Sequence, residues 1–169
     1  MTRILGFDPG LSACGLGVIQ AESGELRLQE CAELKTRSDA RLEERLAIIY
    51  AAVTDWIARW RPDAVAVEQQ IQVKNVGTAI TLGQVQGVAM LAAAHAGIAA
   101  YAYTPRDVKK AVAGTGKAEK QQVDRMVAVL LGCGERKIRE HEGDALAVAI
   151  CHLHAEKLQR LLKEGYRQA

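Results

Sequence analysis

Two short apolar runs in this chain end on an acid. Ile4-Leu5-Gly6-Phe7 runs into Asp8, and Ala64-Val65-Ala66-Val67 runs into Glu68. Four residues that favour burial, followed by a carboxylate, describe a strand that ends at the carboxyl edge of a sheet. That edge is where α/β folds place their ligand sites. Asp8-Pro9-Gly10 closes the first run as a turn. Cys14 to Gln20 and Leu26 to Leu34 read as the next two strands, joined in a hairpin at Glu22-Ser23-Gly24. Leu42, Leu46, Ile49, Val53 and Ile57 recur every three or four residues and predict one face of a helix from about Asp39 to Trp60. Arg61-Pro62-Asp63 stops it. Beyond Glu68 the pattern predicts a polar stretch to Val76, a helix from about Gly77 to His95 and a fifth strand from Ile98 to Tyr103. Thr104-Pro105 then opens a short helix to about Val112. Two more helices follow, Lys117 to Leu131 and Glu140 to about Lys163. Three strands followed by helix–strand alternation make an α/β fold: a mixed five-stranded sheet with helices on both faces. Residues 1–163 are expected to form one domain and 164–169 a frayed tail.

With 169 residues, 49% of them hydrophobic and 25% charged, the chain is long enough to bury a core without disulfides. Its four cysteines form no C-x-x-C pair, which excludes a zinc ribbon or thioredoxin-type site. No secretory pattern opens the chain and no run approaches the roughly 20 apolar residues of a membrane span, so a cytoplasmic protein is expected. The net charge of +2 conceals an asymmetry. Thr104 to Arg139 holds nine basic and four acidic side chains, while the remainder holds 13 basic and 16 acidic. A basic segment that leads towards a group of acids suits contacts to a phosphate backbone.

That group has a third member. Asp144 opens the apolar helix Ala145 to Ile150, and His141, three residues earlier, projects to the same side. Converging strand-end and helix-start acids suit hard divalent cations. Simpler roles compete: Asp8 fits its turn, and Asp144 answers a helix dipole. His95, His152 and His154 read as structural or solvated; the i, i+2 spacing of His152 and His154 on a helix does not make a zinc site.

The ordered set of motifs resembles the RuvC family of Holliday-junction resolvases. Ile4 to Gly10, Val65 to Gln69 and Asp144 to His152 resemble its acidic motifs. Lys74-Asn75, Leu82-Gly83-Gln84, Gly87-Val88-Ala89, Val108-Lys109 and Gly114 to Lys120 match in order between them. The resemblance implies an RNase H-like fold and a dimeric, metal-dependent crossover junction endodeoxyribonuclease of recombination and DNA repair. Such an enzyme nicks opposed strands of a four-way DNA junction symmetrically, working with a RuvA/RuvB-type branch-migration complex. It also implies that Asp8, Glu68 and Asp144 hold two divalent cations, Mg²⁺ or Mn²⁺. Asp8 is expected to bridge them, with Glu68 on one side and His141 and Asp144 on the other, and Lys120 beside the scissile phosphate. Without the resemblance, Lys120 is an ordinary solvated lysine. The family more usually has an acid where this chain has His141, and imidazole in its place favours Mn²⁺ over Mg²⁺.

Junction DNA is expected to meet Gln70, Ile71, Lys74 and Asn75, and the basic side chains Arg106, Lys109, Lys110, Lys117 and Lys120. Ile71 stands where the family commonly has an aromatic residue, which weakens base stacking there. The Ala-rich helix 77–95, with Gly83 and Gly87 one turn apart, is a possible dimer interface. Another RNase H-like nuclease, a phosphotransfer domain and a non-catalytic junction scaffold are the alternative readings.

Overall fold

Period-two alternation along the first strand sets up the architecture. A computed structural model describes residues 1–69, 75–134 and 136–166. Its first strand, β1 (Thr2–Asp8), sends Leu5 and Phe7 to one side and Ile4 and Gly6 to the other. It pairs antiparallel with β2 (Ala13–Glu22), which continues through a hairpin into β3 (Glu25–Lys35). Ser23 and Gly24, at the tip, both take positive φ, as tight hairpin turns require. On its other edge β1 pairs parallel with β4 (Ala64–Glu68), which pairs parallel with β5 (Ala99–Tyr103). The order β3-β2-β1-β4-β5 is the expected mixed five-stranded sheet.

Helices cover both faces. On the Leu5/Phe7 face lie α1 (Leu42–Trp60) and α2 (Val76–His95), packed through Ile49, Val53, Ile57, Val85 and Ala89. On the Ile4/Gly6 face lie α3 (Pro105–Ala113), α4 (Lys120–Leu130) and α5 (Glu140–Tyr166). Thr104 caps α3 as expected, its hydroxyl accepting from the Asp107 amide. Helix α4 starts at Lys120 rather than Lys117, and α5 reaches Tyr166, past the expected Lys163.

Two expectations need correction. The buried face of α1 is Arg45, Ile49, Val53, Trp56 and Ile57; Leu42 is exposed, and a charged residue takes the first core position. Helix α2 does contain an 18-residue window of mean hydropathy 1.3, long and apolar enough by length and composition to cross a membrane. It is apolar on two flanks. Val85, Ala89, Ala92 and Ala93 face the core, while Val76, Ile80, Met90 and Leu91 are exposed, and the space beside Gly83 and Gly87 is open.

The contact that positions everything else is α5 against the β1–β2 pair. A Cβ on Gly6 would lie 1.8 Å from the Ala145 carbonyl oxygen, and one on Gly15 would lie 1.8 Å from that of His141. The helix therefore rests on bare backbone, and its first turn lies directly over the end of β1. Gly15→Ala is expected to lose about 3 kcal/mol of stability in urea denaturation, because helix backbone cannot yield as a side chain does. A stability equal to the parent's would show that the contact is looser than described.

Candidate active site

Alternation in the strands decides where the acids point. Asp8 follows Ile4 and Gly6, and Glu68 follows Ala64 and Ala66, so both face α5. Phe7 and Val67 are register partners, which brings the next residues, Asp8 and Glu68, side by side at the end of adjacent parallel strands. Helix α5 supplies His141 and Asp144 from its first turns.

The resulting cluster is tight. His141 Nδ1 lies 2.7 Å from Asp8 Oδ2, and one ligating atom each from Asp8, His141 and Asp144 lie within 4.8 Å of one another. Glu68 is hydrogen-bonded to Asp8 from the other side. Lys120, entering from α4, donates to both Asp144 oxygens at 2.6 and 2.7 Å and lies 3.7 Å from Glu140. Asp8 is only 4% exposed, so water screens its charge poorly from the neighbouring, half-buried carboxylates.

Their acidities follow. Burial raises Asp8 above the ordinary carboxylate value, and the His141 hydrogen bond pulls against that rise while Asp144 adds to it. Burial and then the neighbouring Asp8 and Asp144 charges push Glu68 up to about 8. Burial opposes the charge on Lys120, but its bond to Asp144 carries it above the usual lysine value. Carboxylates outnumber the single lysine in the site, and the donor set of carboxylate oxygens and an imidazole nitrogen fits a divalent cation.

The expected metal-site residues Asp8, Glu68, His141 and Asp144 are thus brought together, with Lys120 beside them. Glu142 turns away: it is buried, and its Oε2 accepts from the Arg139 amide at 2.9 Å. Gln70, Ile71 and Lys74 lie outside the described residues. Asn75 caps α2, its Oδ1 accepting from the Gly77 amide at 2.8 Å. Arg106, Lys110 and Lys117 are exposed on α3 and the turn that follows it, and Lys109 is half-buried. The sequence reading passes over Asp124, one turn after Lys120 on α4, which lines a cavity of about 450 Å³ with Lys120, Arg139 and Glu140. The i, i+4 spacing to Lys120 was its available signal. His152 is buried against the Tyr103 hydroxyl at 2.7 Å, and His154 Nδ1 lies 3.0 Å from the Ala111 carbonyl oxygen; both are structural, as expected.

Comparison with known proteins sets this geometry in context. Residues 4–152 match the family model described as crossover junction endodeoxyribonuclease RuvC. The chain belongs to the RuvC family. A member from Natranaerobius thermophilus is 42% identical over 159 residues, covering 94% of this chain and 99% of that protein. The structure of Thermus thermophilus RuvC superposes with a TM-score of 0.87 at 37% identity, covering 94% of this chain and 97% of that one. The same enzyme in complex with a Holliday junction substrate gives a TM-score of 0.90 at 36% identity over the same shares. The fold is therefore RNase H-like, and the acids expected from the RuvC motifs fall on the two strand ends and the helix start that the motifs mark.

The raised pKa of Glu68 fixes a pH dependence. Between about 4.5, the ordinary glutamate value, and about 8, the folded protein retains on Glu68 a proton that the unfolded chain has released. Stability therefore falls as pH rises through that window. The melting temperature of metal-free protein should decline more steeply across it for the wild type than for Glu68→Gln. Parallel slopes would contradict the assignment.

Proposed function

We propose that this chain is a metal-dependent endonuclease that resolves four-way DNA junctions by paired nicks in opposed strands. The observation that carries the reading is the convergence of Asp8, His141 and Asp144, with Glu68 bonded to Asp8, in a member of the RuvC family. Asp8, Glu68, His141 and Asp144 would hold divalent cations. Bound there, the cations would supply an acidified water and a counter-charge for the leaving 3′ oxygen.

The protein's own groups do the rest. Lys120, which now donates to Asp144, stands where its ammonium would neutralise charge developing on the scissile phosphate. The exposed basic residues Arg106, Lys110 and Lys117, with Lys109, hold the flanking backbone. Arg and Lys contacts to phosphate position the duplex without reading its sequence. Glu68, pushed up to about 8 in the metal-free protein, must lose its proton to hold a cation, so cation binding, and with it cleavage, would be stronger on the alkaline side.

Two opposed nicks need two sites, and among the described residues each chain has one such cluster. A two-fold dimer supplies the pair. The exposed apolar flank of α2, around Ile80, Gly83 and Gly87, is the surface that a second copy of this chain covers. The enzyme acts in the cytoplasm, alongside a RuvA/RuvB-type branch-migration complex.

Three measurements test this reading. Asp8→Asn should lower junction cleavage by about 100-fold or more while leaving junction binding intact; simultaneous loss of binding would mark a folding role. Mn²⁺ should support faster cleavage than Mg²⁺, and His141→Asp should shift the preference towards Mg²⁺; equal rates before and after substitution would remove His141 from the ligand set. In sedimentation the wild type should run as a dimer and Ile80→Glu as a monomer; a dimeric Ile80→Glu would move the interface elsewhere.

A further inference from the structure

Arg45 is a buried cation without a counter-ion. It is 8% exposed, and the groups it bonds are neutral: Nε donates to Thr36 Oγ1 at 2.8 Å and Nη2 to Ser12 Oγ at 3.1 Å. Among the described residues no carboxylate lies within ion-pair distance of it. Burying a guanidinium without a carboxylate is unfavourable, and an apolar side chain on the α1 stripe would serve stability better. Its use lies in what it orients.

An arginine can only donate, so the Thr36 hydroxyl must accept from it and turn its own proton elsewhere. That proton goes to the Leu11 carbonyl oxygen at 2.5 Å. The Thr36 amide donates to the Ser12 carbonyl at 3.1 Å. The Cys14 thiol, kept protonated by burial that pushes it up to about 11, donates to the Gly10 carbonyl at 2.6 Å. Gly10, Leu11 and Ser12 are thus each held, and they are the segment that leaves Asp8 at the end of β1.

We propose that Arg45 is a positioning residue for Asp8: through Thr36 and Ser12 it fixes the 9–12 turn, and so the carboxylate that the proposed cations share. The proposal rests on the metal-site reading above. A rigid fork is needed because two acceptors, on two different segments, must be held at once, which a lysine ammonium or a single amide does less well.

The test compares wild type, Ser12→Ala, Thr36→Val and Arg45→Lys by melting temperature, Mn²⁺ titration of the DNA-free protein, and junction cleavage resolved into kcat and KM. Ser12 is exposed, so Ser12→Ala should melt with the wild type. It should nevertheless bind Mn²⁺ several-fold more weakly and lose about tenfold in kcat at unchanged KM, as a displaced carboxylate does. Arg45→Lys, which keeps the charge, should show the larger defect of the same kind. Wild-type Mn²⁺ affinity and kcat in both variants would overturn the proposal. So would a rise in KM at constant kcat, which would make the net a DNA contact. If wild-type protein binds Mn²⁺ but leaves junctions uncut, the functional reading fails, and the Mn²⁺ titration still decides the role of Arg45.

Discussion

Backbone contact between α5 and the β1–β2 pair governs the rest of this molecule. Gly6 and Gly15 leave no side chain between sheet and helix, so the helix carbonyls of His141 and Ala145 rest on the strands. Any thicker spacer would lift the first turn of α5 and separate His141 from Asp8. The same contact buries Asp8 and brings the partly exposed His141 and Asp144 up against it. The fold thus brings like charges together, at the expense of its own stability, and leaves them in need of cations. In the free protein Lys120 supplies part of that need at Asp144, and His141 is hydrogen-bonded to Asp8.

The near-neutral total charge hides a local division. Three acids, Asp8, Glu68 and Asp144, meet at one sheet edge, where bound cations would neutralise them. The basic surplus lies on α3, α4 and the segments around them, bordering the same edge through Lys120. The molecule therefore presents a more positive surface to a phosphate backbone when loaded than its composition indicates, and its association with DNA should be strongly salt-dependent.

Much of this was legible in the sequence, because local rules carry it. Apolar runs, turn residues and helical spacing located the elements to within a few residues, and the acids at the ends of Ile4–Phe7 and Ala64–Val67 pointed to the edge. Period two then put Asp8 and Glu68 on one face, a step that needs only the strands. The bond between Lys120 and Asp144 is different in kind: 24 residues separate them, and only the packing of α4 against α5 brings them together. Which flank of helix α2 meets the core was not legible, because one apolar flank looks like another along a sequence; Val85 and Ile80 differ in what covers them, not in chemistry. Arg45 left a faint mark, a charge one turn before Ile49 on the buried stripe, whose meaning depends on hydroxyls from two other segments.

The central claim, a cation-dependent pair of cuts directed by junction structure, is tested most directly by strand-resolved mapping. A four-way junction is labelled on each strand in turn and incubated with the protein with and without divalent cation, beside the linear duplex of the same sequence. The account requires cuts at symmetric positions on two opposed strands, only with the cation present, and an intact duplex. Equal cutting of duplex and junction, or cuts that persist in chelator, would contradict it.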